Sequence, residues 1–258
     1  MRQFNMFRGT EAMLEPEWGH VTFLRCVIVF APMDLLEFKQ QFVKTELGIT
    51  DDFGRMTTMI DFGNVNHWFE EDRQDADNKA LANDEKLVID LVGLGGFSAL
   101  FSEDVRFYYG HDPENKGSVG FITAAKHVFG RNRVFTKRIQ FVRHHLKPEE
   151  FGTNTRAMFA DAEGQFVRLP KCNFDVEITV DAIRRMDEYD TLVLMSGDAD
   201  FVALSRFLKA KEKKIILIKG GHITTDLRDV ADLVVNAQKI KKYITMLEKG
   251  GIKQKPGN

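Results

Sequence analysis

From residue 56 onward, short apolar runs alternate with longer stretches of helical periodicity. Residues 57–60, 105–109, 138–142, 191–195, 214–218 and 233–235 read as strands, each bounded by turn or helix signals. Residues 84–91, 176–186 and 201–211 read as helices. This alternation predicts an α/β domain with a mostly parallel central sheet and helices on both faces. Leu192, Val193, Leu194 and Met195 are apolar without interruption, as are Ile215, Ile216, Leu217 and Ile218. Strands covered on both sides have that composition, so these two are expected at the centre.

The leading residues differ in texture. An apolar run at 21–36 is followed by a weakly amphipathic helix candidate at Leu35–Leu47 and then by Asp51, Asp52, Phe53 and Gly54. We read residues 1–55 as an extension: an added hairpin or helix packed on the domain, or a dispensable leader ahead of a start at Met56. Residues 56–246 are then the domain proper, and the Gly- and Lys-rich residues 247–258 a loose tail. The run at 21–36 contains Arg25 and Asp34 and is shorter than the roughly 20 residues of a membrane span. Glu11, Glu15 and Glu17 precede it where a secretory signal carries positive charge. Cys26 and Cys172 stand far apart and form no cluster with histidine, which excludes a disulfide framework and a structural zinc site. A cytoplasmic protein without membrane association is expected.

Two strands run into acids. Residues 57–60 lead into Asp61, Phe62, Gly63 and Asn64, and residues 191–195 lead into Ser196, Gly197, Asp198, Ala199 and Asp200. Ligands of open α/β sheets bind outside the carboxyl ends of the strands, so these acids are expected at one rim. Acids gathered there repel one another and lose hydration unless a cation compensates them. An all-oxygen set without His or Cys selects Mg²⁺ or Mn²⁺. Gly63 and Gly197 would let the backbone turn sharply there. Helix capping by Asp198 or Asp200 is the plainer alternative, although it leaves Asp61 unexplained. A third source is Asp175, which opens a helix after Lys171, Cys172, Asn173 and Phe174. Asp181 lies about 120° around that helix from Asp175. An ion pair with Arg184 or Arg185 is its alternative role.

The 258 residues are 43% hydrophobic and 29% charged, which excludes collagen-like, low-complexity and wholly disordered classes. The 36 Lys and Arg against 38 Asp and Glu leave a net charge of −2, which is silent about partners. Its distribution is not silent. Residues 126–147 hold seven cations and no acid, with Phe129, Phe135 and Phe141 interleaved. Arg131, Arg133, Lys137, Arg138 and Arg143 suit a polyanion groove, with Lys171 as a further phosphate contact by position; core packing is the alternative for the rings. Gly93, Leu94, Gly95 and Gly96 do not fit a dinucleotide loop and read as a turn or close-packing site.

Taken in order, Asp61-Phe62-Gly63-Asn64, Asn173-Phe174-Asp175-Val176 with Asp181, Ser196-Gly197-Asp198-Ala199-Asp200-Phe201, and Leu227 with Ala231-Asp232 resemble the NYN domain. That is the LabA-like branch of the PIN-like ribonucleases, and the likeness spans about residues 56–246. The resemblance implies a PIN-like fold in which Asp61, Asp175, Asp198 and Asp200 form the catalytic metal site, with Asn64, Ser196 and Asp181 as auxiliaries. It implies metal-dependent cleavage of RNA and a possible homodimer. Thr225 stands where a Ser or Asn is more usual. In the mechanism this suggests, Asp61 and Asp198 hold the principal ion, while Asp175 and Asp200 bind a second ion or orient the attacking water. The alternatives are a catalytically weak RNA-binding module that keeps the acidic rim, and a small-molecule phosphatase.

Overall fold

In a computed structural model, the described residues are 34–151 and 157–249; residue 170 is described by its backbone alone. The elements in chain order are α1 (Leu35–Leu47), β1 (Met56–Asp61), α2 (Phe62–Val65), β2 (Glu85–Ile89), α3 (Leu91–Ala99), β3 (Asp104–His111), α4 (Lys116–Phe129), β4 (Val134–Arg138), β5 (Gln140–His145), β6 (Met158–Asp161) and β7 (Gly164–Lys171). They continue with α5 (Asp175–Arg184), β8 (Thr191–Met195), α6 (Val202–Ala210), β9 (Lys214–Lys219), α7 (Thr225–Val230), β10 (Leu233–Asn236), α8 (Lys241–Ile244) and β11 (Thr245–Lys249).

Six strands form a wholly parallel sheet in the order β10-β9-β8-β1-β3-β4. Strand β8 is buried along its whole length, as its unbroken apolar run requires. One face packs Phe62, Phe97, Phe107, Phe129 and Ile218 with the residues of α1, α3, α4 and α8; the other packs Met59, Tyr108, Ile178, Leu204 and Leu227 under α5, α6 and α7. The expected α/β architecture with helices on both faces is the observed one. Within α3, a Cβ on Gly93 would lie 2.5 Å from the Tyr243 carbonyl oxygen, and one on Gly95 would lie 2.6 Å from Val128 Cγ1. These glycines are a close-packing device inside a helix rather than a turn.

The sequence and the structure part at several places. Residues 84–91, expected as a helix, contain β2, which pairs antiparallel with β11. The expected strand at 138–142 takes in only Arg138 of β4 and the first three residues of β5; the rest of β4, in the central sheet, and β6 and β7, which join β5 in a separate antiparallel sheet, lie outside the expected strands. The tail expected from residue 247 begins inside β11, and residues 250–258 lie outside the described ones. In the leading stretch the helix expected at Leu35–Leu47 is observed, and with the residues to Arg55 it packs on the domain, as one of the two readings had it. Val43, Leu47, Ile49 and Phe53 are buried in its core, and Glu46 accepts bonds from Lys242 (2.8 Å) and Tyr243 (2.6 Å). The compact unit therefore begins at Leu35. The readings placed on residues 1–33, including Cys26 and the apolar run up to residue 33, fall outside the described residues, and the run's last two residues open α1. Among the described residues no helix is long and apolar enough to cross a membrane.

Candidate metal centre

The parallel topology brings the carboxyl ends of β1 and β8 side by side, with Ile60 registered on Met195. Asp61 is the last residue of β1, and Ser196 follows β8 directly. The buried Ser196 hydroxyl donates to Asp61 Oδ2 at 3.0 Å and accepts from the Asp198 N–H at 3.2 Å, tying the two acidic turns together. Asn64 makes a second tie: its Oδ1 accepts from Gly197 N–H (3.1 Å) and from Trp68 Nε1 (2.9 Å). Asp198 Oδ1 accepts from the Asp200 N–H at 3.0 Å and so caps the short helical turn Ala199–Phe201. Capping and membership of the acidic rim thus coexist, because a carboxylate has two oxygens.

Asp175 enters from α5. Asn173 Oδ1 accepts its N–H at 2.7 Å, and the Asn173 amide also donates to Asp175 Oδ2. Asp175, Asp198 and Asp200 offer carboxylate oxygens that lie within 4.8 Å of one another. Asp61, Asp175 and Asp198 line one open pocket of about 310 Å³ together with Gly63, Asn64, Lys171 and Cys172. None of the four acids forms an ion pair with a described residue.

The cost of this arrangement shows in proton affinity. Burial pushes the Asp61 carboxyl up to about 6; the charges of Asp175 and Asp198 add to the rise, and bonds from Ser196 and the Asn64 backbone oppose it. Burial also raises Asp175, which feels the charges of Asp198 and Asp200 and is partly relieved by Asn173. Burial raises the Cys172 thiol as well.

Several expected site residues lie elsewhere. Asp181 turns away from Asp175, as the helical angle requires. Its partners are Arg106 Nη1 (3.0 Å) and the Tyr108 hydroxyl (2.7 Å), not Arg184 or Arg185. Thr225 is exposed in the first turn of α7, and the capping hydroxyl there belongs to Thr224, which accepts from Leu227 N–H. Asp232 is tied to Lys209 and to the Ile215 N–H. Gly63 and Gly197 have ordinary negative φ, and a Cβ on either would meet its nearest neighbour at 3.4 Å, so the turns do not demand glycine. Asn173 and Trp68, outside the expected set, hold Asp175 and Asn64 in place. Their signals were short spacings: Asn173 stands two residues ahead of a helix-opening acid, and Trp68 four residues beyond Asn64.

The acid-free basic stretch is largely neutralised by acids from elsewhere. Arg133 pairs with Asp104 (2.8 Å), Lys137 with Glu177 (2.7 Å), Arg138 with Glu114 (2.5 Å) and Arg143 with Asp161 (3.2 Å). Arg131 borders a pocket with Lys126 and His127, and Lys171 borders the acid pocket. Phe129 stacks on Phe107 and Phe135 on Tyr108, so both serve the core; Phe141 is exposed.

Residues 75–238 match the NYN domain. The chain belongs to the NYN domain family. The matched range contains Asp175, Asp198 and Asp200, while Asp61 precedes it. Over 80 residues this NYN protein is 32% identical to the low amplitude and bright protein LabA of Synechococcus elongatus, a stretch covering 31% of this chain and 43% of that relative. The chain thus matches less than half the length of that relative. A Vibrio parahaemolyticus protein of unknown function, known from a crystal structure, aligns at 18% identity with a TM-score of 0.48, over 76% of this chain and 99% of its own. The NYN resemblance read from the ordered aspartate motifs is borne out at the level of family.

Proposed function

We propose that this NYN domain hydrolyses RNA phosphodiester bonds with Mg²⁺ or Mn²⁺ held at the acidic rim. The observation that carries the reading is the convergence of four aspartates from three separate chain segments with no ion-pair partner among the described residues. The donor set fits the ion. Three carboxylate oxygens within 4.8 Å of one another match a small hard cation that binds oxygen at about 2.0–2.1 Å, given small side-chain adjustment. Asp175, Asp198 and Asp200 would hold it. A bound divalent cation lowers the pKa of its water and neutralises charge on a phosphoryl group.

Asp61 stands on the pocket wall, fixed by Ser196, and serves as a further ligand or orients the attacking water. Asp198 groups with Asp175 and Asp200, and Asp61, bonded to Ser196, lines the same pocket as Asp175 and Asp198. Asn64 and Ser196 act through the acids they position. The likeness to PIN-like ribonucleases supports RNA as the substrate. Purified protein incubated with labelled RNA, DNA and a small phosphate ester, in Mn²⁺ or in chelator, tests the reading. RNA cleavage in Mn²⁺ alone is the expected result; cleavage undiminished by chelator, or turnover of the ester only, contradicts it.

A further inference from the structure

We propose that the small antiparallel sheet β5-β7-β6 is a platform for single-stranded RNA, stacking unpaired bases on its exposed rings beside the acid pocket. The choice of polymer rests on the ribonuclease reading; the surface itself is read from the sheet.

Strand register fixes the surface. Phe141 is opposite residue 170, Arg143 opposite Arg168, and Phe159 opposite Phe166. Because side chains alternate across a pleated sheet, Phe141, Arg143, Phe159, Phe166 and Arg168 share one face. Phe166 is 4% exposed and buried beneath its neighbours. Phe141 is 53% exposed and Phe159 42% exposed, and both line an open groove of about 320 Å³ with Arg168. The Arg168 guanidinium lies 4.8 Å from the Phe159 ring centroid, Arg143 lies 5.1 Å from that of Phe166, and the Phe159 and Phe166 rings stack at 5.6 Å.

His145 and Asp161 lie on the same face, and Asp161 pairs with Arg143 at 3.2 Å; the solvent-open rings beside the Arg168 guanidinium supply what an unpaired nucleotide needs, a flat apolar surface for the base and a cation for the phosphate. Arg168 has no ion-pair partner among the described residues. A duplex keeps its base faces stacked internally, so it gains nothing from such rings.

The sheet's position adds to its composition. Strand β5 starts two residues after β4 ends at the rim of the central sheet, and β7 ends at Lys171, which borders the acid pocket four residues before Asp175. The sequence indicated only part of this surface. Phe141 was one of three rings in the basic stretch, whereas Arg168 and Phe159 join it through pairings formed across β6 and β7.

The test is fluorescence anisotropy with the full chain in chelator, using a labelled 12-nucleotide oligouridylate and a 12-base-pair RNA duplex. The wild type should favour the single strand. The double variant Phe141→Leu/Phe159→Leu keeps apolar bulk but loses the rings, and should weaken single-strand binding about tenfold or more with an unchanged circular dichroism spectrum and melting temperature. If the folded variant binds the oligouridylate within about twofold of wild type, or if the wild type binds duplex as tightly as single strand or binds no RNA, the platform is refuted. It is refuted equally if the variant converts a dimer to monomer in sedimentation while RNA affinity stays constant, which would mark a protein interface. Failure of the ribonuclease reading looks different: intact RNA in Mn²⁺ with the single-strand preference and its loss on substitution preserved.

Discussion

The two edges of the central sheet treat aspartate in opposite ways. At the amino end of β3, Asp104 stands opposite Thr57 and is surrounded by cations: Arg106 at 2.8 Å, Arg133 at 2.8 Å and Arg185 at 3.2 Å. Asp181 joins through Arg106 and Tyr108, whose hydroxyl proton is held well above the usual range by burial and by Asp181. At the carboxyl end of the same strand pair, Asp61 stands opposite Tyr108, accepts from Ser196 and the Asn64 backbone, feels the charges of Asp175 and Asp198, and forms no ion pair among the described residues. One cluster is matched by cations; the other has no ion-pair partner among the described residues. The first reads as structure, and the second as a binding site at the strand ends where α/β sheets place their ligands.

The largest break in this contrast should come from the unmatched cluster's effect on chemistry. Asp198→Asn removes a charge from the pocket while keeping the cap on the Asp200 N–H, so RNA cleavage in Mn²⁺ should fall about a thousandfold with the melting temperature little changed. Single-turnover rates measure the first effect and calorimetry the second. In the matched cluster the reverse holds. Arg106→Ala leaves Asp104 and Asp181 without their shared, nearly buried partner and should cost about 3–5 kcal/mol of stability, read from urea unfolding.

A pH comparison sharpens the contrast. Asp61 titrates near 6 in the folded chain against 3.8 for the unperturbed group, so the folded state holds this proton more tightly than the unfolded state. Its contribution to stability is present at low pH and is lost as pH rises from about 4 through about 6. About two units correspond to about 3 kcal/mol. Metal-free Asp61→Asn should therefore be more stable than wild type by up to that amount above pH 7, with the difference closing toward pH 4, as unfolding curves across pH would show. The smallest effect is expected at the exposed Arg138 and Glu114 pair, where Arg138→Ala should shift stability by less than about 1 kcal/mol.

The parts of the fold legible in the sequence are those whose signal is local. β8 and β9 are continuous apolar runs, α5 and α6 carry helical periodicity, and the acids follow strand ends directly. β2 was misread because only Leu87 and Ile89 are buried in alternation, and its partner β11 lies about 160 residues away. The split at Ile139 was invisible for the same reason: the run at 138–142 holds only Arg138 of β4 with the start of β5, and it is their partners, β3 and β7, that set the two strands in different sheets. In the site, Asp61, Asp175, Asp198 and Asp200 could be named from spacing and motif order. The pairing of the basic stretch with Asp104, Glu114, Asp161 and Glu177 could not, since charge along a chain does not reveal charge across a fold. Residues 35–55 looked detached because α1 shows only Val43 and Leu47 to the core and leaves Leu35, Phe38 and Phe42 exposed.

The central claim is that the aspartates left without cations at the carboxyl edge bind a divalent ion. Its most direct test is electron paramagnetic resonance of Mn²⁺ titrated into wild type and into an Asp175→Asn/Asp198→Asn protein at pH 8. The account predicts that wild type depletes the free Mn²⁺ signal and that the folded variant leaves it intact. Equal free Mn²⁺ in both would contradict it.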